Sequence, residues 1–219
     1  MDGGRFVQEL IAENASIMGR LAPADTLRAE SGGDLNPRSL LRIALRNELE
    51  AAEIAALWVP KTRDANLKIA LARQSGDEAK HYRLIEDRLR DLGDNLAGFD
   101  PLAAGYSPMF KFLAAIETDV ERVAAGQFTR EAIALVKNAQ FIELCEHAGD
   151  AATARLYRET IQPDEKFHHE LGVKFLTQLA TDDESQRLAR AARIRTIELA
   201  EELQTLAFNR AGLHHAPGC

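Results

Sequence analysis

One short pattern occurs twice in this chain and limits the folds that the chain can adopt. A helix breaker, Asp, Glu, two further residues and His follow one another at 76–81 (Gly-Asp-Glu-Ala-Lys-His) and again at 163–168 (Pro-Asp-Glu-Lys-Phe-His). Glu and His are three positions apart in each copy, so on an α-helix the carboxylate and the imidazole leave the same face about one turn apart. A helix of this kind offers two ligands to one metal ion. The rest of the sequence is expected to bring the two copies together.

The composition predicts a helical protein that binds neither nucleic acid nor membranes. The 219 residues include 27 Lys and Arg against 34 Asp and Glu, a net charge of −7 with both signs mixed, so a nucleic-acid partner is not expected. No stretch approaches 18 apolar residues, and the first four residues lack the regions of a signal peptide, which favours a cytoplasmic location. Cys145 and Cys219 lie far apart, so neither a disulfide framework nor a cysteine zinc site is expected.

Apolar periodicity and the positions of Gly and Pro predict seven helices. They cover 5–20, 39–58, 65–92, 109–125, 129–148, 151–180 and 183–208. Ser39 and Thr129 are the predicted N-caps, and Gly126 is predicted to end the helix before Thr129. Pro163 lies inside the sixth helix, so we expect a kink or a locally opened turn just before Glu165.

The order of these helices predicts an all-α fold organised as two hairpins. Residues 93–108, rich in Gly and Pro, are expected to form a long crossover between the pairs, and a mobile loop is expected around 23–37 with a frayed end at 214–219. Two hairpins joined in this way predict a four-helix bundle with extra flanking helices. The expected divisions are an N-terminal helix and loop at 1–38, the bundle at 39–182, and a C-terminal helix and tail at 183–219.

The positions of the repeated motifs on their helices indicate that they are buried. At about 100° per residue, Glu78 and His81 fall within the apolar arc of their helix, and His168 falls within the arc of its own helix with Glu165 near the edge. A buried carboxylate beside a buried imidazole is costly unless something compensates both, and a metal ion does so. We therefore interpret these four residues as metal ligands rather than surface pairs.

Two metal ions would need a further carboxylate from the first helix of each pair. On the helix at 39–58, Glu48 lies about 70° and Glu50 about 90° from the apolar centre, so Glu48 leads narrowly and Glu50 remains the alternative. Glu48 and Glu78 are 30 residues apart around a turn near residue 63, which puts them at matching heights.

Glu131 is the preferred carboxylate on the helix at 129–148. It lies about 80° from the apolar centre and 34 residues before Glu165, around a turn at 149–150. Glu143 would lie about 12 Å too near that turn, and it remains the alternative. Another interpretation is that Glu131 is only a first-turn acid favoured by the helix dipole.

Five other residues near the motifs have secondary roles to consider. Asp77 and Asp164 are interpreted as hydrogen-bond acceptors, outside the ligand set, for the imidazole nitrogen that does not bind metal, on a neighbouring helix. His169 turns about 100° away from His168 and is expected to lie outside the ligand set. Tyr82 and Tyr157 are each assigned either to core packing or to the surroundings of the metals.

A Glu on the first helix of each hairpin and Glu-x-x-His on the second resemble the ferritin-like di-iron carboxylate superfamily over about residues 40–180. The repeated Asp-Glu-x-x-His form resembles its oxygen-activating branch, and the stretch from Glu48 through Leu92 is also similar to the phenylacetyl-CoA epoxidase group. The resemblance implies a ferritin-like bundle and a particular set of metal ligands, namely Glu48, Glu78, His81, Glu131, Glu165 and His168, with Glu78 and Glu165 as bridges. Ile85 stands where the ribonucleotide reductase small subunit has its radical tyrosine, which argues against a radical-generating role.

The function implied by the resemblance is that of a non-haem di-iron oxidase or oxygenase. Carboxylate oxygens with one imidazole per metal favour iron or manganese over copper, so two iron ions, an Fe/Mn pair or two manganese ions are expected. A small organic substrate, O₂, an external electron donor and a second copy of the chain, as a dimer, are the expected partners. The alternatives are iron oxidation or peroxide detoxification, as in ferritins and rubrerythrins, and a non-catalytic subunit of an oxygenase complex.

Overall fold

The computed structural model describes residues 2–21 and 36–211, and helices are the only regular secondary structure in these two ranges. The helices are α1 (Gly3–Leu21), α2 (Pro37–Trp58), α3 (Ala65–Asp91), α4 (Pro108–Ala115), α5 (119–147), α6 (151–179) and α7 (Asp183–Ala211). The predicted all-α class is confirmed. Most of the loop expected at 23–37 and all of the frayed end expected at 214–219 lie outside the described residues.

Two helical hairpins form the centre of the protein. A short turn joins α2 to α3, and Asp64 caps α3 by accepting a hydrogen bond from the Leu67 amide at 2.8 Å. A second turn joins α5 to α6 at Gly149, whose φ of 76° places it in the left-handed region. The Asp150 amide there donates to the Cys145 carbonyl at 2.8 Å and closes the end of α5. The short turns make each pair antiparallel.

The hairpins contact each other through α3 with α6 and through α2 with α5. Outside this group of four, α1 packs on α6 and α7, α4 packs on α2, and α7 packs along the start of α5. No helix within the described ranges is both long and apolar enough to cross a membrane.

The buried apolar side chains of the four central helices form two separate clusters. The larger cluster lies near the α2–α3 turn and includes Trp58, Leu71, Phe128 and Phe175. The smaller cluster lies at the other end of the four helices and contains Leu40, Leu41, Ala44, Leu45, Ile85, Leu89, Phe141, Ile142, Cys145, Ala154, Tyr157 and Ile161. On α2, α3 and α6 the predicted ligands occur between residues of the two clusters, whereas Glu131 on α5 lies between Phe128 and Ile133 of the larger cluster. The polar side chains therefore form a layer across the middle of the protein.

The start of α2 differs from the prediction. Asn36, not Ser39, is the N-cap, and its side chain accepts a hydrogen bond from the Arg38 amide at 3.0 Å. Pro37 occupies the first helical position, where its fixed φ suits the helix and its missing N–H costs nothing.

The predicted break between 109–125 and 129–148 is wrong. α4 ends at Ala115, and α5 then begins at Asp119 and continues through Gly126 and Thr129 to residue 147. A wide π-helical turn, Ala124–Arg130, replaces the break, and the Thr129 hydroxyl donates to the Ala124 carbonyl at 2.6 Å instead of capping a helix. Gly126 lies inside this helix, and the Trp58 ring packs against it. A Cβ added at Gly126 would lie only 2.8 Å from that ring, so the position has no room for a side chain.

The opened turn expected before Glu165 occurs at the predicted place. Residues Tyr157–Ile161 form a second π-helical turn, in which the Gln162 amide donates to the Tyr157 carbonyl. Pro163 follows directly and lacks an amide hydrogen, so the wider turn accommodates its ring within a continuous helix.

Candidate metal centre

Six of the predicted ligands come together in the polar layer. Their carboxylate oxygens and imidazole nitrogens form two overlapping groups, each with its ligand atoms within 4.8 Å of one another. The first group is Glu48, Glu78, His81 and Glu165, and the second is Glu78, Glu131, Glu165 and His168. All six side chains are at most 3% exposed. Glu78 and Glu165 belong to both groups, which is the arrangement that two bridging carboxylates require.

His81 points its Nδ1 into the first group. Nδ1 lies 3.3 Å from Glu78 Oε2, 3.5 Å from Glu48 Oε2 and 3.7 Å from Glu165 Oε1. The opposite ring nitrogen, Nε2, lies 3.1 Å from Asp164 Oδ2. A carboxylate only accepts, so Nε2 carries the hydrogen in this bond, and a metal ion at Nδ1 would take the place of a second hydrogen there.

His168 repeats this geometry in the second group. Its Nδ1 lies 3.4 Å from Glu165 Oε2 and 3.5 Å from Glu78 Oε1, and its Nε2 lies 3.2 Å from Asp77 Oδ2. Each aspartate therefore serves the histidine of the other motif, across the α3–α6 contact. The acceptor role expected for Asp77 and Asp164 matches this hydrogen bonding.

Each aspartate is also paired with a cation at the surface. Asp164 accepts from Lys80 Nζ at 2.8 Å, and Asp77 accepts from Arg73 Nε at 3.3 Å. The favourable interactions with Lys80 and His81 outweigh the opposing effect of burial and lower the pKa of Asp164 below its ordinary value. An ionised Asp164 holds the His81 ring in one orientation.

Three carboxylates of the layer, those of Glu48, Glu78 and Glu165, have pKa values shifted from their ordinary range. Burial raises the pKa of Glu48 to about 7 against the opposing influence of His81, and burial with the neighbouring charge of Glu78 raises the pKa of Glu165 well above its ordinary value. Burial would also raise the pKa of Glu78, but hydrogen bonding to His81 and the charge of His168 lower it to about 2. Burial would lower the pKa of His81, but Glu48 and Glu78 outweigh it and raise the value to about 11. Without a bound cation the layer must therefore hold protons.

The donor set fits a pair of divalent cations. Three buried potential ligand atoms, Glu48 Oε1, Glu165 Oε2 and His168 Nδ1, have no hydrogen-bond partner, and Nδ1 of each imidazole faces carboxylate oxygens at 3.3–3.7 Å. Facing lone pairs in a dry layer repel unless a proton or a metal ion lies between them. Four carboxylates and two imidazoles are ligands suited to iron or manganese.

The two alternative ligands lie elsewhere. Glu50 is buried, but it accepts hydrogen bonds from the Ser107 amide at 2.7 Å and from Arg46 Nε at 3.1 Å, which ties the start of α4 to α2. Glu143 is exposed on α5. Neither belongs to the two clustered groups.

Three polar neighbours of the layer escaped the sequence analysis. Gln74 Nε2 donates to Glu131 Oε1 at 2.8 Å, and Gln127 Nε2 donates to Gln74 Oε1 at 2.8 Å. Arg130 Nη1 donates to the same Glu131 oxygen at 3.1 Å. The sequence does carry one signal for Gln74, since it lies four residues before Glu78 on the same helix face. Gln127 carries the same signal, four residues before Glu131, whereas no such signal marks Arg130; both lie in the π-helical turn of α5.

The remaining candidates lie around the layer. His169 packs against Phe128 with ring centroids 5.6 Å apart and lines an open surface groove of about 580 Å³, outside the ligand groups. Tyr157 is fully buried in the smaller apolar cluster with its ring edge-to-face on Phe141, and its hydroxyl has no hydrogen-bond partner. Burial raises the Tyr157 pKa well above its ordinary value, and Glu48 adds to that rise. Tyr82 packs at the edge of the same cluster.

Comparisons with known proteins give little further information about this chain. No protein-family model matches it, and no solved structure matches it. A protein of Bifidobacterium longum (strain NCC 2705) named probable dual-specificity RNA methyltransferase RlmN is 29% identical over 134 residues, which is 61% of this chain and 28% of that protein. The chain thus spans little more than a quarter of the length of this relative.

Proposed function

We propose that this protein is a ferritin-like, non-haem di-metal oxidoreductase. The observation that carries the proposal is that Nδ1 of His81 and Nδ1 of His168 face the buried carboxylates of the layer while each opposite ring nitrogen lies within hydrogen-bonding distance of an aspartate. Four buried carboxylates and two imidazole nitrogens that converge in this way, with an acceptor behind each ring, form the donor arrangement that metal ligation requires.

The ligand set divides into two metal positions. Glu48 and His81 would hold one ion, Glu131 and His168 would hold the other, and Glu78 and Glu165 would bridge them. Iron or manganese bound there would supply the redox chemistry that reduces O₂, with electrons from an external donor. The apolar clusters above and below the layer exclude bulk water from it, and Asp77 and Asp164 keep both imidazoles in the ligating tautomer.

Metal content and its dependence on the shared carboxylate test the proposal. Protein purified aerobically from iron-supplemented cells should contain about two metal ions per chain and show near-ultraviolet charge-transfer absorption. Glu78→Ala removes a ligand of both positions and should lower the content below about half an ion per chain, whereas the exposed Glu143→Ala should match the wild type. Less than about half an ion per wild-type chain, unchanged by Glu78→Ala, would overturn the di-metal assignment.

Oxygen chemistry needs a second measurement. The iron-loaded protein, reduced without air and then mixed with air-saturated buffer, should consume O₂ faster than the Glu78→Ala variant treated in the same way. Metal binding without any O₂ consumption above that variant would contradict an oxidase or oxygenase role.

One structural feature favours a second candidate, the oxidation of Fe²⁺ or the reduction of peroxide. A void that adjoins Glu131 has a volume of about 10 Å³ and is also lined by Gln74, Gln127 and Arg130. It has room for about one water-sized molecule, which suits a peroxide-sized oxidant better than an organic substrate. If the reduced protein reacts faster with H₂O₂ than with O₂ at equal concentrations, this candidate is favoured.

A further inference from the structure

The two halves of the polar layer, one around His81 and the other around His168, differ at one equivalent position. The residue four places before the motif glutamate is Gln74 on α3 and Ile161 on α6, and both are buried, at 3% and 0% exposed. These residues occupy the same face one turn before Glu78 and Glu165. The repeated motif therefore has an amide beside one of its glutamates and an apolar side chain beside the other.

The hydrogen bonds of Gln74 fix the carboxylate of Glu131. Gln74 Nε2 donates to Glu131 Oε1 at 2.8 Å and more weakly to Glu78 Oε1 at 3.3 Å. Gln74 Oε1 accepts from Gln127 Nε2 at 2.8 Å, so the amide cannot flip without losing bonds on both sides. The amide is thus held with its donor end toward two carboxylates of one metal position.

Glu48, the counterpart of Glu131 in the other half, lacks such a restraint. Its Oε1 is buried without a hydrogen-bond partner, and so is Oε2 of the shared Glu165, which faces His168 at 3.4 Å. Ile161, in the place equivalent to Gln74, has no polar atom to offer either of them. Glu131 has two donors on one oxygen, and Glu48, its counterpart in the other half, has an oxygen with none.

We propose that Gln74 is a positioning residue that holds Glu131 and Glu78 in ligating orientation, so that the Glu131/His168 metal position is rigid and the Glu48/His81 position is adjustable. This inference rests on the di-metal function proposed above and concerns which of its two positions depends on the amide. A restrained carboxylate loses less conformational freedom when it binds a metal, which strengthens that position.

Single-position variants allow the two halves to be measured separately. His81→Ala leaves the Glu131/His168 position, and His168→Ala leaves the Glu48/His81 position. Each is titrated with Co²⁺ as the metal-free full-length protein and followed by visible absorption and calorimetry, with and without Gln74→Leu. Gln74→Leu should weaken Co²⁺ binding by about 10- to 100-fold in the His81→Ala background and by less than about threefold in the His168→Ala background.

Gln140→Leu is the matched control. Gln140 is also a buried glutamine, on α5, with neither side-chain polar atom hydrogen-bonded, and it is not a member of the two ligand groups. Its replacement should leave Co²⁺ affinity unchanged in both backgrounds. Equal weakening by Gln74→Leu in the two backgrounds, or weakening by Gln140→Leu to the same extent, would overturn the positioning role.

If circular dichroism shows that the Gln74→Leu protein is unfolded, a second variant tests the positioning role of Gln74. Gln127→Leu keeps Gln74 but removes the bond that orients its amide, so weaker binding confined to the His81→Ala background supports the inference and no change in that background overturns it. Failure of the wild-type protein to bind Co²⁺ at all would overturn the di-metal function itself, which is a different outcome from two bound ions that are insensitive to Gln74.

Discussion

Replacing Gly172 by alanine tests whether the contact between α5 and α6 holds the polar layer in position. Gly172 is buried on α6, one turn beyond His168, and packs directly on the π-helical turn of α5. A Cβ at this position would lie 2.5 Å from Gln127 C and 2.5 Å from Phe128 N, both backbone atoms. Backbone cannot rotate away as a side chain can, so the two helices must separate there.

The structure gives the size of the effect. Ordinary contact begins at 3.4 Å, so the helices must move apart by about 0.9 Å at this point. Overpacking of this kind costs about 1–3 kcal/mol, and the better helix propensity of alanine returns about 0.5–1 kcal/mol. From the middle of both ranges, the net loss is about 1 kcal/mol, which corresponds to a decrease in Tm of about 2–4 °C for a chain of this length. Because Gln127 and Glu131 belong to the displaced helix, metal affinity should fall as well.

Gly76→Ala is the matched control for the Gly172→Ala variant. Gly76 also lies inside a helix, beside the first motif, but nothing lies within 4 Å of a Cβ added there. Its replacement should raise Tm by about 1–4 °C through helix propensity alone, with metal content unchanged. Thermal unfolding followed by circular dichroism and metal analysis of both variants give the comparison. A Gly172→Ala protein as stable as the wild type, with full metal content, would refute the close-packing argument.

Three further outcomes are expected. Asp164→Ala should weaken metal binding by about 10- to 100-fold because His81 loses the acceptor that fixes its tautomer, and Asp164→Asn should recover part of the loss in the same titration. The free energy of unfolding of the metal-free protein, measured with urea, should fall as the pH rises from about 4.5 to about 7, because folded Glu48 keeps a proton up to its pKa of about 7 whereas the unfolded chain releases it near 4.5. A metal-free protein that becomes more stable over this pH range would contradict the raised pKa. Glu50→Ala should lower the free energy of unfolding by about 1–3 kcal/mol, since the Ser107 amide loses its acceptor, while leaving metal content unchanged.

The face and height of each ligand could be predicted because straight helices have fixed geometry. A rotation of 100° and a rise of 1.5 Å per residue were enough to prefer Glu48 over Glu50 and Glu131 over Glu143, and the structure puts the preferred residue of each pair into the cluster. The predicted pairing of Asp77 and Asp164 with imidazoles followed from the chemistry of histidine ligands. The ligand role itself stays a prediction until metal is measured.

The start of α5 could not be predicted correctly from Gly and Thr alone. Gly126 and Thr129 are typical end and start signals, but the Trp58 ring and the wide π-helical turn bury both inside one helix. The sequence held a better signal nearby, because Thr118 and Glu121 have the spacing of a capping box. In the structure the Thr118 hydroxyl accepts from the Glu121 amide at 3.3 Å and donates to its carboxylate at 2.6 Å.

The aspartates that cross between the motifs have a consequence for the ancestry of the site. Neither hairpin contains a complete set of contacts, because His81 depends on Asp164 and His168 depends on Asp77. A single ancestral hairpin with one motif would have completed its histidine–aspartate contact only by pairing with an identical copy about a two-fold axis. Fusion of two such copies would then let each half diverge. The presence of Gln74 on α3 and of Ile161 at the equivalent position on α6 is a difference that a symmetric homodimer cannot acquire.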